Sequence, residues 1–285
     1  MKKILLCTDG SAYSQVSYEY AAWLAQKIDF AIEVLYVTDS REEKAVRSND
    51  FSGSIGIDAY QQLLKELVEV EASKAKINHK RAKILLEDAE KFFSDRKIDR
   101  VKLTYETGSF VDLFNQFESN SDLVILGKRG ENASKAREHL GSNLERIVRS
   151  SHKPCLVTPK QFQPVNRVLL AYDGGKSCQK AVDYLAKLPA FGVELHIVYV
   201  VTKDESTAKQ HLATASKIVE KAGFNPICEA LHGDTESEIE KYIEQKNIDL
   251  LLMGAYGHSR IRQLIIGSTT TQMLLSSHIP VCLFR

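Results

Sequence analysis

Short apolar runs rich in β-branched residues alternate along the chain with longer segments whose apolar positions recur every three or four residues. In the C-terminal part the runs are "RVLLAYD", "VELHIVYVV", "FNPICEALHG", "IDLLLMGA" and "PVCLFR". Helix-patterned segments fall between them near residues 177–188, 204–222, 235–246 and 268–277. A strand covered on both faces has no polar side to alternate with, so near-continuous apolar strands separated by helices predict a parallel sheet with helices on both faces.

The pattern occurs twice. "KILLCTDGS" at Lys3 matches "RVLLAYDGGKS" at Arg167, "DLVILGKRG" at Asp122 matches "DLLLMGAYG" at Asp249, and "SSHKPCLVTP" at Ser150 matches "SSHIPVCLFR" at Ser276, all in the same order. The offset is 164 residues from Asp9 to Asp173, 127 from Gly127 to Gly254 and 126 from Gly141 to Gly267. The first copy therefore carries 37 extra residues before its second matching block, and one more between its glycines. The expected architecture is α/β, with two tandem doubly wound domains, each a five-stranded parallel sheet. They span residues 1–160 and 167–285 and are joined by "QFQPVN".

The surplus of the first copy lies between its second and third strands, at about residues 40–95. "SREEKAVRSNDFSGSIGID" reads as a polar loop. Tyr60 to Phe93 reads as helical, with apolar positions at Leu64, Leu67, Leu85, Ala89 and Phe92 around a polar middle, "EASKAKINHKRAK". So polar a stretch has little apolar face to bury, which favours an extended surface helix pair over a lid.

Composition narrows the function without choosing it. The 38 basic residues balance 37 acidic ones, and division at residue 160 leaves 25 against 24 and then 13 against 13, so neither half has the basic excess of a nucleic-acid or anionic-membrane binder. No apolar run reaches the length of a membrane span, and "MKKILLCTDG" meets Asp9 too early for a signal-peptide core; a cytoplasmic location is expected. Cysteines 7, 155, 178, 228 and 282 are odd in number and lack CxxC spacing, and most lie in strand-like runs, as buried reduced thiols do.

Ligands of open parallel sheets bind at the carboxyl ends of the strands, where strand order reverses. Asp9 and Asp173 end the first strands, and the glycine clusters follow the fourth. In the second copy two residues separate Gly254 from Gly257, and nine separate Gly257 from Gly267 and Ser268. Glycines admit a ligand close to the backbone, and free N–H groups at a helix start attract phosphate. Equally, Gly254 serves a turn and Ser268 caps a helix. The spacing alone leaves both open.

The G-x2-G-x9-G-[ST] pattern, "GAYGHSR" at Gly254, the acid at the first strand end and five strands per repeat together resemble the universal stress protein family over nearly the whole chain. The resemblance implies an ATP-binding stress-response sensor or regulator, with Mg²⁺ as an accompanying ion left open. By the same resemblance Asp173 contacts adenine, Val200 offers its backbone to the adenine edge, Gly254 and Gly257 line ribose and phosphates, and Gly267, Ser268 and Thr269 cradle the phosphates. His258 and Arg260 lie in the intervening loop. In the first copy Asp9, Val37, Gly127, Gly130, Gly141 and Ser142 correspond, as secondary candidates. There ten residues separate Gly130 from Gly141, and Glu131 sets a negative charge near the phosphate position, with Lys128, Arg129, Lys135 and Arg137 available to offset it. Family members commonly pair through their last strands, so "PCLVTP" and "PVCLFR" are expected to meet within one chain as a pseudo-dimer, with a homodimer and an unknown protein partner also open.

Enzymatic readings are weaker. No Walker A loop, HExxH, paired metal spacing or G-x-S-x-G elbow is present. His152 and His278 in the SSHxP segments read as helix-end residues rather than catalysts. A slow ATPase, or an interaction protein without nucleotide, is the alternative.

Overall fold

The computed structural model describes residues 2–39, 57–130, 140–201, 204–255 and 267–285. The first half runs β1 (Lys2–Thr8), α1 (Ala12–Lys27), β2 (Phe30–Asp39), α2 (Ile57–Ser94), β3 (Val101–Gly108), α3 (Phe110–Glu118), β4 (Leu123–Gly127), α4 (Ser142–Ser150) and β5 (Cys155–Thr158). The second runs β6 (Arg167–Ala171), α5 (Lys176–Leu185), β7 (Glu194–Val201), α6 (Glu205–Glu220), β8 (Ile227–His232), α7 (Thr235–Lys246), β9 (Leu250–Gly254), α8 (Ser268–Ser276) and β10 (Val281–Phe284). The predicted alternation is present, and helix α7 has the predicted bounds.

The ten strands among the described residues form one sheet in the order β3-β2-β1-β4-β5-β10-β9-β6-β7-β8. Every pairing within a half is parallel. Where the halves meet, β10 runs antiparallel to β5, with Cys155 opposite Leu283, Leu156 opposite Cys282 and Val157 opposite Val281. These six residues are all buried, so each half covers the strand edge that the other would expose.

Polar contacts across this seam come in reciprocal pairs. Lys128, just past β4, donates from Nζ to the carbonyls of Leu275 (2.7 Å) and Ser277 (3.1 Å) at the end of α8. Arg285, just past β10, donates to the Arg149 carbonyl near the end of α4. Each half thus places a cation on the unsatisfied carbonyls of the other's last helix, where the helix dipole favours positive charge. Apolar contacts add to the seam: Trp23 of α1 lies edge-on to Phe191 of the second half at 5.8 Å, and Tyr20 to Phe162 of the connecting segment at 4.8 Å.

Two buried carboxylates brace the first half. Glu33 of β2 is 1% exposed and accepts from Lys102 (2.8 Å), Thr104 (2.8 Å) and Lys3. Burial works against its charge, but these donors outweigh burial and hold its pKa below the ordinary value. Glu118, at the end of α3, accepts from Ser151 and from the backbone N–H groups of His152 (2.9 Å) and Lys153 (3.1 Å), fixing the turn into β5. His152 and His278 are both exposed, each next to its helix C-cap, Ser151 or Ser277.

The surplus segment departs from expectation. In place of a helix pair, α2 is a single helix of 38 residues whose polar middle continues without a break. Its last turns pack on the sheet, with Ala82, Ala89 and Phe93 buried, and they repeat the buried Ala208, Ala215 and Val219 of α6 at an offset of 126 residues. Leu64 and Leu67, in the turns N-terminal to those that pack on the sheet, are exposed, in keeping with a surface element.

Four of the five cysteines are buried and Cys228 is exposed. Burial, then the neighbouring Glu118 charge, pushes the Cys155 thiol up to about 12. Among the described residues no helix is long and apolar enough to cross a membrane, and no group of His, Cys, Asp and Glu side chains is arranged to hold a metal ion.

Burial, and then the nearby charge of Arg129, pulls the Lys128 ammonium down from 10.5 to about 8. Below pH 8 both folded and unfolded chains hold this proton; between pH 8 and 10.5 the unfolded chain holds more. This group's contribution to stability therefore rises with pH across that window. Urea unfolding of the native chain and of Lys128→Met at pH 8, 9 and 10 is expected to show a flatter pH slope in the variant. Identical slopes would contradict the assignment.

Candidate functional site

The order 3-2-1-4-5 within the first half reverses direction between β1 and β4, and the second half repeats the reversal between β6 and β9. A crevice opens at the carboxyl ends of such strands because the helices following them leave on opposite faces. The candidate residues are carried to these two crevices by strand register.

In the second half, Ala171 pairs with Val198 of β7 and with Met253 of β9. Two residues farther along, Asp173 is therefore level with Val200 on one side and with Ala255 on the other. The Asp173 carboxylate is exposed and accepts the backbone N–H of Gly175 at 2.7 Å, which shapes the turn into α5. Burial, and then the charge of Asp173, pushes the neighbouring Cys178 thiol up to about 12, which disfavours its thiolate.

The start of α8 lies against the end of β9. Gly267 donates its N–H to the Ala255 carbonyl (3.4 Å), and the buried Thr270 hydroxyl donates to the carbonyls of Gly254 and Ala255, both at 3.3 Å. Gly267 is the N-cap and supplies no side-chain cap; Ser268 and Thr269 form the first turn. The helix start is thus anchored through Thr270, while its first N–H groups have no capping side chain from the N-cap position. Gly257, His258 and Arg260 lie outside the described residues.

The first glycine of each cluster also lies close against a helix. A Cβ on Gly254 would lie 3.0 Å from the Ser177 Cβ and 3.1 Å from the Cys178 sulfur, and one on Gly127 would lie 2.8 Å from the Tyr13 Cβ. Both glycines let the fourth strand of their half approach the first turn of α5 or α1. Close helix packing is a physical reason for glycine at both positions, alongside the ligand role expected of them.

In the first half, the Thr8–Tyr36 register sets Asp9 level with Val37. A Cβ on Gly130 would lie 2.7 Å from the Asp9 carboxylate, so Gly130 rests directly on this acid. Asp9 is half-buried and accepts from the Ser11 N–H at 2.9 Å. Gly141 is the N-cap of α4, again without a side-chain cap, and Ser142 begins that helix. Lys128, one of the cations available in the sequence to offset Glu131, crosses the seam to α8. Glu131, Lys135 and Arg137 lie outside the described residues.

The helix over each crevice contributes residues that motif reading missed. In the first half Leu85 of α2 covers Gly10, where a Cβ would lie 2.4 Å from Leu85 Cδ2. In the second half His211 of α6 covers Gly174, where a Cβ would lie 2.5 Å from His211 Cε1. His211 stacks on Tyr199 (5.7 Å between centroids, 6° between planes) and lies edge-on to Tyr172 at 6.1 Å. Leu85 and His211 are related by the same 126-residue offset as Gly141 and Gly267, a correspondence available to sequence comparison had the helices been aligned along with the glycines. One crevice is covered by an aliphatic side chain, the other by an aromatic cluster able to hydrogen-bond.

Comparison with known proteins gives a consistent result. The model of the universal stress protein family matches residues 1–159 and again 164–285. A curated relative, the universal stress protein Slr1230 of Synechocystis, is 52% identical over the full length of both chains. Among solved structures, a universal stress protein from Archaeoglobus fulgidus superposes with a TM-score of 0.70 at 22% identity, covering 99% of this chain and 98% of the other. A functionally unknown protein from Pseudomonas aeruginosa gives 0.61 at 13% identity, covering 100% and 92%. These last two likenesses concern the fold.

Gly174 holds a φ of +73°, and a methyl group there meets the His211 ring. Gly174→Ala is expected to lower stability by about 1 kcal/mol or more, through the left-handed backbone and the displaced ring. Chemical denaturation showing an unchanged midpoint would count against this account of the turn.

Proposed function

Because the chain belongs to the universal stress protein family, we propose that it is a cytoplasmic ATP-binding regulator of a stress response, with its nucleotide held in the crevice of the second half. The reading takes residues 1–160 and 167–285 as the two domains. The observation that carries it is the start of α8: a helix N-terminus without a side-chain cap, anchored to β9 through Thr270, beside the strand ends that bear Asp173 and Val200. Backbone N–H groups and a positive dipole end in such a place suit phosphate, and Ser268 and Thr269 add hydroxyl donors.

In this reading the Asp173 carboxylate and the Val200 backbone face adenine, Gly254 and Gly257 lie along the ribose and phosphates, and Gly267 to Thr269 hold the phosphate tail. His258, from the loop between the glycines, is assigned to that tail by the same reading, with Mg²⁺ as the accompanying ion. The first crevice, with Asp9, Val37, Gly127, Gly130, Gly141 and Ser142, is the secondary site. Gly130 lies directly against Asp9 there, which leaves less of the acid accessible to a ligand. Bound nucleotide then favours one conformation or one complex with a protein partner by differential affinity.

A ligand that binds the folded chain alone stabilises it by about 2.7 kcal/mol at a concentration 100 times its Kd. ATP with Mg²⁺ is therefore expected to raise the melting temperature by several degrees, and Gly267→Val is expected to remove most of that rise. An unchanged melting temperature together with a flat calorimetric titration would refute nucleotide binding. A full response in Gly267→Val would move the site to the first half. Steady ADP release above that of an Asp173→Ala, Ser268→Ala control would favour a slow ATPase instead.

A further inference from the structure

On a side other than the one packed on the sheet, α2 carries apolar side chains at intervals of seven: Leu63, Val70, Ile77 and Ile84. Val70 is 50% exposed, Ile77 66% and Ile84 50%, while Leu63 is half-buried. Seven residues are close to two turns of helix, so the four lie along one stripe. The buried residues Ala82, Ala89 and Phe93, which face the sheet, lie on a different side of the helix. The stripe runs for about 32 Å at 1.5 Å per residue. An apolar line of this length on a projecting helix marks an interaction surface.

Charge along the same stretch specifies what covers it. Glu66, Glu69 and Glu71 fall in a segment with no basic residue, whereas Lys74, Lys76, Lys80, Arg81 and Lys83 fall in one with no acidic residue. A second α2 laid antiparallel, with its two-fold axis between Ser73 and Lys74, brings Val70 opposite Ile77 and Leu63 opposite Ile84. The same alignment sets residues 66–71 against residues 76–81, so that acidic and basic segments face each other twice. A parallel pairing would oppose like charges along the whole stripe.

We propose that this face of α2 is a self-complementary interface through which two copies of the chain associate as an antiparallel helix pair. Such a contact is isologous and closes at a dimer. It lies on the inserted segment, away from the β5–β10 seam, and does not depend on nucleotide binding. The role that a partner chain's last strand would take is already filled within the chain, and the insertion supplies a different surface for assembly.

Sedimentation velocity on the full chain tests this. The native protein is expected to show a concentration-dependent dimer, and Ile77→Glu to weaken it on the order of 100-fold, since each copy loses an apolar contact. Lys76→Glu with Lys80→Glu is expected to weaken the dimer, and adding Glu66→Lys with Glu69→Lys to restore it. In a Cys228→Ser background, Ser73→Cys is expected to form an interchain disulfide across the axis. A native monomer at high micromolar concentration, a dimer untouched by Ile77→Glu, or failure of the charge swap to restore association would overturn the proposal.

Discussion

The antiparallel pairing of β5 with β10 is the constraint on which the rest of the structure depends. A five-stranded sheet with helices on both faces still has two raw edges, and an edge strand as apolar as "CLVT" or "VCLF" cannot be left to water without inviting another chain. Joining β5 to β10 within one chain covers the apolar edge of each half and leaves β3 and β8 as the outer strands. It also fixes the relation between the halves through backbone hydrogen bonds, which tolerate little sliding. Lys128 and Arg285 then find helix ends to cap across the seam because an approximate two-fold relation puts each half's last helix beside the other's strand ends. One of the cations that the sequence offered to offset Glu131 is in this way committed to holding the halves together.

With the seam in place, each half keeps its own switch point, and the two crevices come from the same topology with different linings. The helix after the second strand passes over the first turn in both, but with Leu85 in one half and His211 in the other. In the second half the Tyr172, Tyr199 and His211 rings form a contiguous aromatic wall. The first half has Thr8 where the second has Tyr172, and that hydroxyl bonds with Tyr18 at 2.6 Å inside the core. Duplication preserved the backbone framework while the side chains over the crevices diverged.

The inserted helix follows the same division. Its C-terminal turns are the duplicated element, with small residues where the helix must approach the sheet, while its N-terminal turns project past the domain. One continuous helix can do both, because helical hydrogen bonds are satisfied within the segment and require no support from the sheet. The projecting part consequently has a surface of its own, with an apolar stripe and segregated charge.

Sequence by itself determined the repeat, the alternation of strands and helices, the parallel sheet and the family. These are local or periodic properties, written into hydrophobic spacing and into glycines whose positions recur between halves. It also located Asp173, Val200 and the Gly267–Thr269 segment at strand ends and a helix start, since position along an element follows from pattern alone. Only the tertiary structure decided what lies opposite what. That Gly254 accommodates α5, that Lys128 reaches the other half, that Leu85 and His211 cover the crevices, and that Leu64 and Leu67 are left exposed are all facts about contacts between residues distant in the chain. An apolar residue on a helix reads the same in sequence whether or not the sheet extends far enough to cover it, and a glycine reads the same whether a helix or a ligand fills the space of its missing side chain.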